Sequence, residues 1–194
     1  MQTNQTGRSM VEMLGVLGII GVLSVGGLAI IGKARRQQEI TQSLSEISQL
    51  IESVKKMSCQ YDKEYGDYAN FLKQSDAYPS ELEFTYVANN SKFTLSSDVD
   101  VKMTAILNND TNVDPYMVLE ISNMDDDMCV NLATSDWGRT NSNGYIGASF
   151  STNNDFTGMK ANYPRMDPGA AATGCVDAAK LYLGFKTCNC PNCH

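Results

Sequence analysis

Met10-Val11-Glu12-Met13-Leu14-Gly15-Val16-Leu17-Gly18-Ile19-Ile20-Gly21-Val22-Leu23-Ser24-Val25-Gly26-Gly27-Leu28-Ala29-Ile30-Ile31 holds one ionisable side chain, Glu12, and from Met13 to Ile31 nineteen consecutive residues carry no charge. A helix rises about 1.5 Å per residue, so a run of this length nearly spans a hydrocarbon core of roughly 30 Å. The run reads as a membrane helix. A carboxylate at that depth costs ~3 kcal/mol and tends to mark function or pairing. A lone helix supplies no cation, so the partner of Glu12 is expected from another chain. An ordinary cleaved signal peptide has a basic start, a shorter apolar core and a small-residue cut after it. Here Met1–Gly7 has no Lys or Arg, and the apolar run leads into a second helical pattern.

That pattern is Ile40, Leu44, Ile47, Leu50, Ile51, Val54 and Met57, recurring at spacings of three and four with Gln, Ser, Glu and Lys between them. Such spacing puts one apolar stripe on one face of a helix, here expected to pack on the chain's own sheet. Within the apolar half, Gly15, Gly18, Gly21, Gly26, Gly27 and Gly32 are frequent enough to allow close helix approach. Each also weakens a helix by about 1 kcal/mol relative to Ala, which makes Gly26-Gly27 the expected kink or melted turn.

Gly7-Arg8-Ser9-Met10-Val11-Glu12-Met13-Leu14 resembles the start of the type IV prepilins and of the related pseudopilins of type II secretion. In that family a short hydrophilic leader ends in Gly, a membrane-embedded prepilin peptidase cuts after it, and a Glu is the fifth residue of the mature chain. The resemblance implies a cut between Gly7 and Arg8, methylation of the new amine, and Glu12 as the carboxylate that docks on the amine of a neighbouring subunit. Arg8 stands where the family usually has Phe or Met. Loop charge alone would put Lys33, Arg35 and Arg36 on the cytoplasmic side; the motif puts them on the other, and the motif is followed here.

The 194 residues less a helical stalk leave roughly 130 to 140 for one globular domain. After Cys59 the sequence turns to short segments separated by Asn, Asp, Ser and Gly. Strands are expected at Glu83–Ala88, Phe93–Leu95, Met117–Ile121, Tyr145–Ser149 and Tyr182–Phe185, and short helices at Tyr65–Lys73 and Met128–Ser135. Tyr163–Gly174, with two prolines and two glycines, reads as a loop. The expected class is α+β: a long N-terminal helix, apolar in its first half and amphipathic in its second, with an antiparallel head stapled by disulfides. A net charge of −7 argues against a nucleic-acid surface, which needs clustered Lys and Arg. Lys33, Arg35 and Arg36 suit lipid headgroups or acidic neighbours in a filament better than DNA.

Six cysteines, Cys59, Cys129, Cys175, Cys188, Cys190 and Cys193, all follow the apolar run. An even count in an exported head reads as a disulfide framework, with about 15 connectivities for six cysteines. Asp127-Met128-Cys129-Val130-Asn131-Leu132 and Gly174-Cys175-Val176 resemble the type IVb pilins, whose C-terminal region is closed by one disulfide. The resemblance implies Cys129 to Cys175, and Cys59 is then expected to tie the long helix to the C-terminal tail. Cys190-Pro191-Asn192-Cys193-His194 has the C-x-x-C-H spacing of c-type haem attachment, and the same cluster with Cys188 could hold tetrahedral zinc. Disulfides are preferred because exported thiols oxidise.

Asp125-Asp126-Asp127 with Asp98, Asp100, Asp110 and Asp114 could offer oxygen to Ca²⁺, but the spacing matches no EF-hand. A solvated acidic loop that favours the start of the following helix is the simpler reading. With one histidine, His194, and no Gly-rich phosphate loop or nucleophile elbow, the chain reads as a non-enzyme without cofactor or metal. The expected organisation is a cleaved leader at 1–7, a membrane and filament-core helix at 8–32, its amphipathic continuation at 33–58 and a head at 59–194. The expected function is a type IV pilus subunit, held in the inner membrane with its head in the periplasm and then polymerised into an extracellular filament. Its partners would be copies of itself, prepilin peptidase, an inner-membrane assembly platform and minor pilins. The alternatives are a type II secretion pseudopilin and a membrane-anchored c-type haem protein.

Overall fold

The computed structural model describes residues 8–60, 66–88, 90–106, 116–138, 144–150, 166–176 and 180–186. Helix α1, Arg8–Gln60, runs for 53 residues. After it come α2 (Tyr68–Gln74), strands β1 (Glu83–Thr85), β2 (Lys92–Thr94), β3 (Asp100–Ile106) and β4 (Tyr116–Ser122), helix α3 (Asp126–Thr134), β5 (Tyr145–Ser149), α4 (Pro168–Gly174) and β6 (Leu181–Lys186). The class is α+β. The chain divides into two compact units, Met1–Glu39 and Ile40–His194, so the second unit includes the amphipathic part of α1 as well as everything after it.

In that second unit the strands form one antiparallel sheet in the order β1-β2-β3-β4-β6-β5. Register explains its two faces. Val101 lies opposite Ile121 and Met103 opposite Leu119, while Leu183 pairs with Leu119 and Phe185 with Met117. All of these are buried. They share one core with Ile40, Ile47, Leu50, Ile51, Val54 and Met57 of α1 and with Leu72, Met128 and Leu132 of the shorter helices. One step out of phase, Lys102 lies opposite Glu120, which in turn lies opposite Tyr182. There Glu120 takes Lys180 at 2.7 Å and Lys102 at 3.6 Å, and Asp100 takes Lys92 at 2.6 Å. The period-two alternation therefore separates a core face from a charged face.

Several sequence expectations are corrected. Asp100–Ile106, absent from the expected strands and noted only for the carboxylate of Asp100, is a central strand: Val101 and Met103 are buried in the core while Asp100 and Lys102 are paired on the other face. Part of the expected loop at 163–174 is α4. Asp167 caps it by accepting from the backbone N–H groups of Gly169 and Ala170, and Pro168 opens its first turn, where a missing N–H costs nothing. Strand β1 ends at Thr85 rather than Ala88. Helix α1 continues through Gly26-Gly27 without a break.

The other caps follow the sequence. Asp125 accepts from the Met128 N–H at 2.8 Å, with Asp126 and Asp127 in the first turn of α3, where the helix dipole favours negative charge. Asp67 does the same for α2 by accepting from Asn70, and its other oxygen accepts from the Ser91 N–H beside β2.

Candidate functional site

The described residues of the first unit are helical, and their apolar side chains are exposed. Met10, Val11, Met13, Leu14, Leu17, Ile19, Val22, Leu23 and Ile30 are each more than half exposed, with Met10 and Val22 at 76%. Leu14, Gly15, Gly18, Ile19, Val22 and Leu23 line a shallow apolar groove along it. A Cβ added at Gly15, Gly18, Gly21 or Gly32 would meet nothing within 4 Å. Those glycines are not required by the fold of this chain, and their bare backbone is open to another helix. Exposed apolar surface on this scale marks an interaction with protein or membrane.

Glu12 lies in this surface, exposed, with no ion-pair partner among the described residues. Arg8 opens α1 one helical turn before it, and Gly7 lies outside the described residues. Among the described residues no helix is long and apolar enough to cross a membrane. The described apolar side chains stop at Leu23 and resume at Ile30, which is shorter than the sequence run because side chains 25–29 are outside the described residues. Beyond Ile31, Arg36 is bound to Glu39 at 3.1 Å, whereas Lys33 and Arg35 are exposed and without an ionic partner among the described residues.

In the second unit, Cys129 of α3 and Cys175 at the end of α4 form a disulfide with Cα atoms 5.7 Å apart, and both are buried. It closes a stretch of 46 residues. Packing beside it is tight: a Cβ on Gly174 would fall 2.1 Å from the Phe150 ring. The side chain of Cys59, and Cys188, Cys190, Cys193 and His194 entirely, lie outside the described residues, as do Asp110 and Asp114. Among the described residues no group of three or more His, Cys, Asp or Glu is placed to hold a metal. Asp98 is in a turn with φ of 63°, and Asp100 is committed to Lys92 and Thr94.

Sequence reasoning missed one polar feature of the helix–sheet joint. Glu46 is buried on α1 and accepts from the Ser96 N–H and hydroxyl at 3.1 and 2.5 Å and from Gln42 at 3.0 Å. Ser43, one turn earlier and fully buried, shares a 2.6 Å hydrogen bond with Ser97. Together they fasten the β2–β3 turn to the helix. The signal was present as small and polar residues interrupting the apolar stripe. Nearby, Lys55 stands 5.5 Å over the Phe185 ring, and burial lowers its pKa. Burial pushes the Tyr145 hydroxyl up to about 12, with its ring against Phe185.

No family model matches the chain, and no curated protein matches it. Among solved structures it is similar to the crystal structure of type IV b pilin from Salmonella typhi, at 12% identity and a TM-score of 0.49, over 76% of this chain and 97% of that one. At that identity and TM-score the likeness carries no residue's role from one chain to the other.

Proposed function

We propose that this chain is a structural subunit of a type IV pilus. It is made as a prepilin, cut between Gly7 and Arg8 by prepilin peptidase, held in the inner membrane by residues 8–32 with its head in the periplasm, and polymerised into a surface filament. One observation supports this most: a continuous helix whose second half buries its apolar stripe in its own head while the described apolar side chains from Met10 to Leu23, with Ile30 and Ile31, stay exposed around Glu12. A surface of that kind needs either lipid or other copies, and a subunit that moves from bilayer to filament uses both in turn. Gly15, Gly18 and Gly21 permit close approach between neighbouring helices. Glu12 supplies register, because a carboxylate in an apolar seam is stable only where a cation meets it. The α-amine freed at Arg8 of a neighbouring copy is that cation in this reading.

Intact-mass spectrometry on protein from its native cells tests the processing step. A chain beginning at Arg8, one methyl heavier, is expected; a chain still beginning at Met1 in assembled material would refute it. A type II secretion pseudopilin shares the same N-terminal half, and filament length by electron microscopy separates the two. The C-x-x-C-H spacing of Cys190–His194 favours a haem-bearing anchor as a reading of a different class. Absence of Soret absorbance in protein made by haem-attaching cells removes it.

A further inference from the structure

We infer that Lys33 and Arg35 form a cationic belt that selects anionic phospholipid headgroups around α1 while the chain is in the membrane. The inference rests on the membrane-held subunit proposed above and adds which lipid chemistry that subunit gathers. Three observations carry it. Along α1, Met10 to Ile31 rises about 32 Å, close to the hydrocarbon thickness of a bilayer, so the next turn, Lys33 to Arg36, falls at headgroup depth. Of the three cations in that turn, Arg36 is neutralised by Glu39 at 3.1 Å, while Lys33 and Arg35 are exposed with no ionic partner among the described residues. Finally, residues two apart on an α-helix are separated by about 200° around its axis, so Lys33 and Arg35 occupy nearly opposite sides.

Depth decides the occupant. Copies in a filament surround a helix as lipid does, but while the chain stands in the bilayer the turn after an apolar rise of about 32 Å meets headgroups. A lipid shell surrounds the helix on every side, and cations set on opposite sides meet it at both. Lys and Arg stems lie along apolar surface while their heads reach phosphate, and attraction to an anionic surface falls off within a Debye length. The chemistry recognised is a phosphodiester headgroup with no balancing choline or ethanolamine cation, so that it carries net negative charge.

The test reconstitutes the full chain in phosphatidylcholine bilayers and measures, by electron spin resonance, the association of spin-labelled phosphatidylglycerol relative to spin-labelled phosphatidylcholine. Wild type is expected to prefer phosphatidylglycerol by about fivefold per free cation. Lys33→Gln with Arg35→Gln should bring the ratio to parity, whereas Arg36→Gln with Glu39→Gln should leave the preference in place. High salt should weaken it. Equal association of the two lipids with wild type overturns the inference while leaving the membrane-held subunit intact; a chain that fails to enter the bilayer at all overturns both. If the preference is absent but Lys33→Gln with Arg35→Gln lowers self-association of the chain, the cations serve an acidic neighbouring copy and the lipid belt is wrong.

Discussion

Met10–Ile31 and Ile40–Met57 belong to one helix and are both rich in Leu, Ile, Val and Met, yet they meet opposite fates. In the second, the apolar residues return every three or four positions, and Ile47, Leu50 and Val54 are fully buried with the sheet. In the first, apolar residues occupy the whole circumference and Met10, Leu17 and Leu23 stay mostly exposed. Apolar content alone does not say whether a helix folds against its own chain. Periodicity does: a stripe matches one sheet face, while an all-round surface matches a solvent that is itself apolar, or many copies.

If that contrast is right, head stability should answer to the head alone. The largest loss is expected from removing the bridge by Cys129→Ser with Cys175→Ser. Opening the 46-residue loop costs about 4 kcal/mol in the chain-entropy account, read as a lower urea midpoint of the full chain in mild detergent. Next, Leu50→Ala, at a fully buried position, should cost about 2–5 kcal/mol in the same assay.

Alkaline pH offers a comparable probe. Burial raises the Tyr145 pKa to about 12 from 10.0, so the folded head keeps a proton there that the unfolded chain gives up. Stability should therefore be full below pH 10 and fall as pH rises toward 12, by roughly 2–3 kcal/mol in total. Tyr145→Phe should flatten that part of the profile; an unchanged slope would mean that the hydroxyl is not desolvated. A smaller change belongs to Glu46→Ala, which leaves the Ser96 N–H and hydroxyl without their acceptor and should cost about 1–3 kcal/mol.

The smallest change sharpens the comparison from the other side. Leu17→Ala, on the exposed half, should move head stability by no more than about 0.5 kcal/mol. A drop as large as that of Leu50→Ala would mean that exposure in the chain alone does not report what this half contributes to folding.

How much of this was legible depended on whether the information was local. The stripe from Ile40 to Met57, the Asp125 cap and the strands around Met117–Ile121 and Tyr145–Ser149 were legible because spacing and capping act within a few residues. The Asp167-Pro168 helix start was equally local but was outweighed by the count of prolines and glycines around it. Strand β3 was hidden because Asp100 and Lys102 look like a solvated charge run until Lys92 and Glu120 arrive across the sheet. The sheet order, with β6 between β4 and β5, and the docking of Glu46 on Ser96 depend on contacts far apart in sequence, which no local pattern announces. For the exposed half, Glu12 and the glycines stood out at once.

The central claim is that the exposed half of α1 assembles through Glu12. Its most direct test is electron microscopy of cells in which Glu12→Ala is the only form of the subunit, with membrane fractions probed in parallel. The account predicts normal amounts of processed protein in the membrane and no filaments; filaments of normal number and length would contradict it.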